Sequence, residues 1–266
     1  MSGNVGFAFA LTVFAGLSTG LGSAIAFFFR RENKTFLSAS LGFSTGVMVY
    51  ISFVELFQVA REHLEQTLGD VYGNWIVVGS FFCGVVITAL IDFFVPDYEN
   101  PHELESVEKM EDGENDPRLN RLGIMSAFAI ALHNFPEGMA VFAAALLNPA
   151  IGISVAVAIA IHNIPEGISI SVPIYHATGS RKKAFWLSFL SGLAEPLGAL
   201  VAYFFLRSFL NDTVFGILFA AVAGIMVFIS LDQLLPAAKR FDKGHASVYG
   251  LVAGMAVMAL SLLLGA

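Results

Sequence analysis

The sequence predicts an all-α integral membrane protein with eight transmembrane helices. Three observations support this fold class: the composition, the lengths of the apolar segments and the distribution of basic residues. Of the 266 residues, 56% are hydrophobic and only 13% are charged, and the mean hydropathy is +0.74. Such values argue against a surface that faces water. We therefore expect residues 1–266 to form a single transmembrane domain.

The lengths of the apolar segments set the number of spans. A hydrocarbon core of about 30 Å requires about 20 apolar residues in a helix. The start of the chain lacks the basic region of a secretory signal, so the first apolar segment is expected to remain as a span. The predicted spans are residues 5–29, 36–60, 71–95, 122–147, 150–174, 184–210, 213–236 and 248–265.

Basic residues fall almost entirely on one side of this arrangement. The loops after spans 1, 3, 5 and 7 carry all of the Lys and Arg residues except Arg61 and Arg207. Because cytoplasmic loops are enriched in Lys and Arg, these four loops are predicted to face the cytoplasm, with both termini outside. An even number of spans fits this bias. The expected location is the plasma (inner) membrane, as a multi-pass protein.

The loop between spans 3 and 4, residues 96–121, is strongly acidic. Nine carboxylates lie between Asp97 and Asp116, with almost no apolar residues among them. This composition indicates a solvated cytoplasmic linker. The alternative is a weak cation-collecting loop, in which His102 and the neighbouring acids act as transient ligands.

Internal repeats indicate how the spans are related. Three pairs of segments match, namely residues 133–138 with 162–167, 46–52 with 224–230, and 16–22 with 192–198. Spans 1–3 therefore resemble spans 6–8. Since span 1 starts outside and span 6 starts inside, the two copies are predicted to be inverted repeats around spans 4–5, as in many secondary transporters.

The first of these pairs carries the polar residues of greatest interest. His133, Asn134 and Glu137 lie three and four residues apart in span 4, so both neighbours share a helix face with Glu137. The same set recurs in span 5, and span 6 adds an acidic residue at similar depth. These further residues are His162, Asn163, Glu166 and Glu195.

Ionised side chains at the middle of a bilayer are costly and normally face a partner or a water-filled path. Three glutamates at this depth therefore indicate a bound cation. Imidazole and carboxylate ligands suit Zn²⁺, Fe²⁺, Co²⁺, Ni²⁺ or Mn²⁺, whereas the absence of cysteine from the repeated box argues against Cu(I). An interhelical hydrogen-bond cluster is the structural alternative for one such box.

Each box also contains a proline followed, two residues later, by a glycine. The proline removes one backbone donor, which leaves the carbonyl of Leu132 or Ile161 without its helical partner. The glycine would then allow the helix to open. We therefore expect discontinuous helices at the midplane, with carbonyl groups available to a passing ion.

Two further acids are weaker candidates for the ends of a transport path. Glu55 lies near the outer end of span 2, and Asp232 lies near the inner end of span 7, at nearly equivalent repeat positions. The alternative is that they are ordinary interfacial acids.

With these two boxes, the sequence resembles the ZIP family of metal transporters, in particular the bacterial branch with two HNxPEG boxes. The resemblance covers nearly the whole chain and implies a binuclear site. Its first centre would use His133, Glu137, His162 and Glu166. Its second would use Asn134, Glu137, Asn163, Glu166 and Glu195. Many family members have a histidine-rich loop after span 3, which this sequence lacks.

Together these observations predict a secondary transporter that imports divalent transition-metal cations, chiefly Zn²⁺ and also Fe²⁺, Mn²⁺, Co²⁺ or Cd²⁺. Its partners would be these ions and the lipid bilayer, with a homodimer left open, no nucleic acid and no resident cofactor. The enzyme alternative is a membrane-embedded hydrolase, but a zincin box is HExxH, and here asparagine follows each histidine. A channel or a metal sensor is a third class.

Overall fold

A computed structural model describes residues 4–26, 34–94, 131, 134–206, 211–240, 242 and 244–265. All regular structure in these ranges is helical and forms eight segments, each of which overlaps one predicted span. Seven are long and apolar enough to cross a membrane, and the eighth, α4, is a shorter apolar helix in the described part of the chain. The segments are α1 (Val5–Ala26), α2 (Lys34–Ile51, Ser52–Leu56 and Phe57–Leu68), α3 (Asp70–Phe94), α4 (Asn134–Leu147), α5 (Pro149–Thr178), α6 (Arg181–Gly192, Ala194–Val201 and Ala202–Leu206), α7 (Asp212–Ile229, Ser230–Leu234 and Leu235–Arg240) and α8 (Ala246–Gly265).

The predicted fold class is thus confirmed, and local sequence signals explain where the helices begin. The side chain of Asn148 accepts a hydrogen bond from the backbone N–H of Ala150 at 2.9 Å, and Pro149 occupies the first turn of α5. Asn211 caps α7 in the same way through the N–H of Val214, also at 2.9 Å. Such caps satisfy backbone donors that have no partner within the helix.

Helix α2 is longer than predicted, because it continues past residue 60 to Leu68. The extension is amphipathic: Ala60 and Leu64 are buried, whereas Arg61 is exposed and pairs with Glu65 at 2.7 Å. Its charged residues lower the local hydropathy, so the apolar segment predicted for this span ends at residue 60. It is nevertheless helical because its apolar face packs on α7.

Helix α5 lies at the centre of the bundle, and α3 and α8 lie at its edge. In the apolar part of α5, 69% of the residues are buried, compared with 17% in α3 and in α8. Helix α5 packs against α1, α2 and α6, while α8 packs on α2 and α3 packs on α7. The outer helices expose apolar side chains such as Trp75 and Leu263. An apolar periphery around a more polar interior is the arrangement that a bilayer requires.

The repeat between spans 2 and 7 extends to local structure. Each matched segment leads directly into a π-helical turn, Ser52–Leu56 in α2 and Ser230–Leu234 in α7. Gly46 of α2 lies against the carbonyl of Leu251 in α8, and its counterpart Gly224 lies against the carbonyl of Phe81 in α3. Matched positions therefore make matched contacts. The inverted direction of the two repeats stays a prediction.

The expected opening of the helix is not found at the second box, because α5 is continuous from Pro149 to Thr178 and passes through Pro165. The interruption occurs instead in α6, where a turn at Leu193 separates two helical pieces. Pro196 explains it, since a proline cannot donate to the carbonyl four residues earlier, that of Gly192. In the first box, the described helix starts at Asn134. The acidic loop at 96–121 lies outside the described residues.

Candidate metal centre

The first box places its amide and carboxylate at the start of the described part of α4. Asn134 is fully buried and Glu137 is 1% exposed. The amide nitrogen of Asn134 donates to the backbone carbonyl of Ser191 in α6, at 3.4 Å. This bond fixes one end of the asparagine side chain on a neighbouring helix. His133 lies outside the described residues.

The second box is arranged in the same way on α5. Asn163 is fully buried and Glu166 is 1% exposed. The amide nitrogen of Asn163 donates to the backbone carbonyl of Ala15 in α1, at 3.0 Å, and also to Oε1 of Glu195. The backbone of His162 lies within α5, but its side chain is outside the description.

Glu195 owes its position to the interruption of α6. The second piece of this helix begins at Ala194, so Glu195 lies in its first turn, where the helix dipole favours a negative charge. The side chain is completely buried, with one oxygen bound by Asn163. Its other oxygen, Oε2, has no hydrogen-bond partner among the residues that the structure describes. A buried carboxylate oxygen in this state is a suitable ligand for a cation.

The two boxes are held by equivalent helix contacts. Helices α4 and α6 approach each other through Gly138 and Gly198, and helices α5 and α1 do so through Gly167 and Gly22. The backbone carbonyls that these glycines contact belong to Glu195, Phe135, Thr19 and Ile164, respectively. Both box glycines therefore allow close packing, and neither has a positive φ.

The carboxylates of the site are electrostatically coupled. Glu137 and Glu166 both lie close enough to Glu195 for their charges to repel its charge. Like charges in an apolar interior are unfavourable unless a cation or protons compensate them. The arrangement thus collects negative charge, amide oxygens and carboxylate oxygens at the junction of α4, α5 and α6.

The residues that the structure describes do not by themselves complete a metal cluster. Among them, no group of three His, Cys, Asp or Glu side chains is close enough to hold an ion. The side chains of both box histidines lie outside the described part of the chain. The three glutamates therefore lie near one another without closing around a single ion, and the imidazole part of the expected ligand set stays a prediction.

Sequence analysis missed a set of buried hydroxyl groups beside the second box. The hydroxyl of Ser23 in α1 bonds that of Ser188 in α6 at 2.6 Å, and both contact the carbonyl oxygen of Gly167 at 3.3 Å. Thr19 is also fully buried. The four-residue spacing of Thr19 and Ser23 was a signal that both lie on one face of α1. The helix that this face meets could be learned only from the fold.

The two weaker candidates lie in the π-helical turns. Glu55 is partly buried and its charged neighbour is Glu62, whereas Asp232 is exposed and its charged neighbour is Asp92. Neither contact involves a box residue. A role for these two acids in a transport path stays a prediction.

The fold and this polar interior define a multi-pass helical membrane protein with acidic and amide side chains gathered between its spans. A model of the ZIP zinc transporter family matches residues 96–262. The chain is 57% identical to the zinc transporter ZupT of Clostridium perfringens, over 98% of this chain and 96% of that protein. It is 60% identical to the ZupT of Lysinibacillus sphaericus, over 99% of both chains.

A third relative, the ZupT of Nitratidesulfovibrio vulgaris, is 58% identical over 98% of each chain. The chain therefore belongs to the ZIP zinc transporter family. This confirms the resemblance inferred from the two boxes. It also supports the prediction that the protein is a transporter and not an enzyme, and the hydrolase alternative receives no support.

Proposed function

We propose that this protein is a secondary transporter that carries Zn²⁺ into the cytoplasm. The observation that carries the proposal is the gathering of three buried carboxylates and two buried amides at the junction of the central helices. Buried charges in a membrane domain are expensive and mark ion pathways. The names of the relatives, all zinc transporters, support zinc as the principal ion.

The proposed ligands form a binuclear site. His133, Glu137, His162 and Glu166 form one centre, and Asn134, Glu137, Asn163, Glu166 and Glu195 form the other. The burial of the two box glutamates supports their shared role. In both asparagines the amide nitrogen donates to the backbone, and Oδ1 has no hydrogen-bond partner in the described part of the chain. That oxygen is available as a ligand.

The proposed topology assigns the loops to the two sides of the membrane. The basic residues in the loops after spans 1, 3, 5 and 7 favour a cytoplasmic location for these loops. Inverted repeats, which the matched glycine contacts support, would let a site near the pseudo-twofold axis open to either side of the membrane. Glu55 and Asp232 are proposed to line the two ends of that path. A homodimer is a further part of the proposal.

Other divalent ions are proposed as weaker substrates. Carboxylate and amide oxygens accept Mn²⁺ readily, while imidazole nitrogen suits Fe²⁺, Co²⁺ and Cd²⁺ as well as Zn²⁺. The mixed oxygen and nitrogen set therefore indicates a broad range among divalent transition metals and related ions.

Zinc uptake into proteoliposomes tests the proposal. Purified protein would be reconstituted into vesicles that contain a fluorescent zinc indicator, and uptake would be measured for wild type and for His133→Ala, Glu137→Ala, His162→Ala and Glu166→Ala. Each substitution should abolish most of the flux, because it removes a ligand and leaves the remaining buried charges unbalanced. Asp70→Ala, which removes an exposed carboxylate at the start of α3, is the matched control. Wild-type flux in the box variants would refute the proposal.

The same vesicles separate the competing classes. Zinc binding without flux would indicate a sensor. Hydrolysis of a peptide or an ester without flux would indicate an enzyme. A rate that saturates at high zinc concentration distinguishes carrier-like transport from passage through an open channel.

A further inference from the structure

The two halves of the site have equivalent backbone contacts but differ at one pair of side chains, Thr19 in α1 and Glu195 in α6. Thr19 lies three residues after Gly16, and Glu195 lies three residues after Gly192. These two glycines contact each other. The carbonyl of Thr19 lies against the glycine of the second box, and that of Glu195 lies against the glycine of the first. The two positions are therefore structural counterparts.

The backbone of Glu195 contacts the first box, whereas its side chain reaches the second box. Its Oε1 accepts a hydrogen bond from Asn163, whose amide nitrogen also donates to the carbonyl of Ala15. One asparagine is thus held by a backbone carbonyl of α1 and by a carboxylate of α6. The carboxylate fixes the amide and adds a negative charge to that half of the site.

In the other half, Asn134 donates to the carbonyl of Ser191, which is the counterpart of Ala15. The carboxylate that would correspond to Glu195 is lacking there, because Thr19 occupies the equivalent position. The hydroxyl of Thr19 lies beside Gly192, about 2.9 Å from the point where a Cβ on that glycine would stand. It is therefore next to the backbone on which Asn134 docks.

Thr19 Oγ1 and Asn134 Oδ1 are both buried, and neither has a hydrogen-bond partner in the part of the chain that the structure describes. Both oxygens belong to uncharged side chains, and Thr19 lies beside the turn of α6 on which Asn134 docks. A buried polar atom without a partner is uncommon and indicates a role that the surrounding protein does not satisfy.

We propose that Thr19 is a specificity-determining residue of the metal site, which supplies a neutral oxygen to the Asn134 half and limits the number of carboxylates to three. This inference rests on the proposed function. Two divalent ions with three carboxylates have a formal charge of about +1, and a fourth carboxylate at position 19 would reduce it to about 0. The site would then bind ions more tightly, release them more slowly and favour metals that prefer oxygen ligands.

Metal titration of purified protein tests the role of the hydroxyl and of the missing charge. The dissociation constants of Zn²⁺ and Mn²⁺ would be measured by calorimetry, and bound metal would be counted by mass spectrometry. Thr19→Asp should tighten binding about tenfold, shift the preference towards Mn²⁺ and slow zinc flux in vesicles. Thr19→Val, which keeps the shape but removes the hydroxyl, should weaken binding about threefold.

Thr12→Val is the matched control, because Thr12 is a buried threonine on the same helix whose hydroxyl donates to the carbonyl of Ala8. Its dissociation constants should equal those of wild type. An exchange variant tests the equivalence of the two positions. Glu195→Thr should lose one of the two bound zinc ions, and adding Thr19→Glu to it should restore that ion.

Failure of the inference and failure of the proposed function give different results. In the first case, wild type binds zinc, but Thr19→Val, Thr19→Asp and the exchange variant show no change relative to their parents in affinity, metal preference or stoichiometry. The role of Thr19 is then refuted, and the transporter proposal stands. If wild type itself binds and transports no zinc, both proposals fail. Size-exclusion profiles and circular dichroism identify any variant that does not fold, and Thr19→Val alone is sufficient to refute the role of the hydroxyl.

Discussion

Replacement of Gly167 by alanine distinguishes two explanations for the glycine in the HNxPEG box. If the glycine served to loosen the helix, alanine would stabilise the protein, because alanine is about 0.5–1 kcal/mol more favourable than glycine in a helix interior. The structure predicts the opposite sign. A Cβ at this position would collide with the backbone carbonyl of Thr19 in α1.

The contact also indicates the size of the effect. A backbone carbonyl cannot move aside as a flexible side chain can, so α1 and α5 must separate. Overpacking of this kind costs about 1–3 kcal/mol. After the gain in helix propensity, we expect a net loss of about 1 kcal/mol. For a chain of this length, that lowers Tm by about 2–4 °C.

Gly79 provides a matched control in the same protein. It lies in α3, and a Cβ there would meet no atom within 4 Å. Gly79→Ala should therefore leave Tm unchanged or raise it slightly. Thermal unfolding in detergent, followed by circular dichroism, measures both variants, and zinc flux should fall only in Gly167→Ala. If both substitutions stabilise the protein to the same extent, the close-packing explanation is wrong.

Three further predictions concern charge. Glu195→Gln keeps the shape of the side chain but removes its charge. The purified protein should therefore retain the zinc ion of the histidine centre and bind the second zinc ion weakly or not at all. Metal counting that shows both zinc ions retained with unchanged affinity would refute the proposed division of ligands. Deletion of residues 103–114 should leave the maximal zinc flux nearly unchanged if the acidic loop is only a linker, and loss of flux in a folded, inserted protein would refute that. Hydrogen bonds from the Ser247 side chain and from the backbone N–H groups of Ala246 and Ser247 lower the pKa of Asp242. The contribution of Asp242 to stability is therefore present above the ordinary aspartate pKa of about 4, and it is lost as the pH falls below that value. Asp242→Asn should therefore show a smaller loss of Tm on acidification than wild type does.

Much of the fold could be predicted from the sequence because the signals are local. A span is recognised from about 20 consecutive apolar residues, whatever it packs against. The extension of α2 to Leu68 was missed because its charged residues lower the local hydropathy, although its buried face packs on α7. The acidic loop and the box histidines stay predictions from the sequence alone.

The effect of proline shows where local signals were insufficient. The sequence has a proline in each box and one after Glu195. Each of these prolines lacks the backbone N–H that would donate to the carbonyl four residues earlier. The structure keeps α5 helical through Pro165 and interrupts α6 before Pro196. The outcome depends on neighbouring helices, which can support a helix that lacks one hydrogen bond.

The sequence by itself determined the membrane-spanning character, the repeated box and the identity of its polar residues, because hydrophobicity and helical spacing are properties of consecutive residues. Only the tertiary structure decided that Asn134 and Asn163 bond to equivalent carbonyls on different helices, and that Glu195 and Thr19 are counterparts with different charge. These relations join residues that are far apart in the chain, 57 positions for Asn134 and Ser191 and 148 for Ala15 and Asn163. They depend on which helix faces approach each other, and that is fixed by packing of the whole bundle.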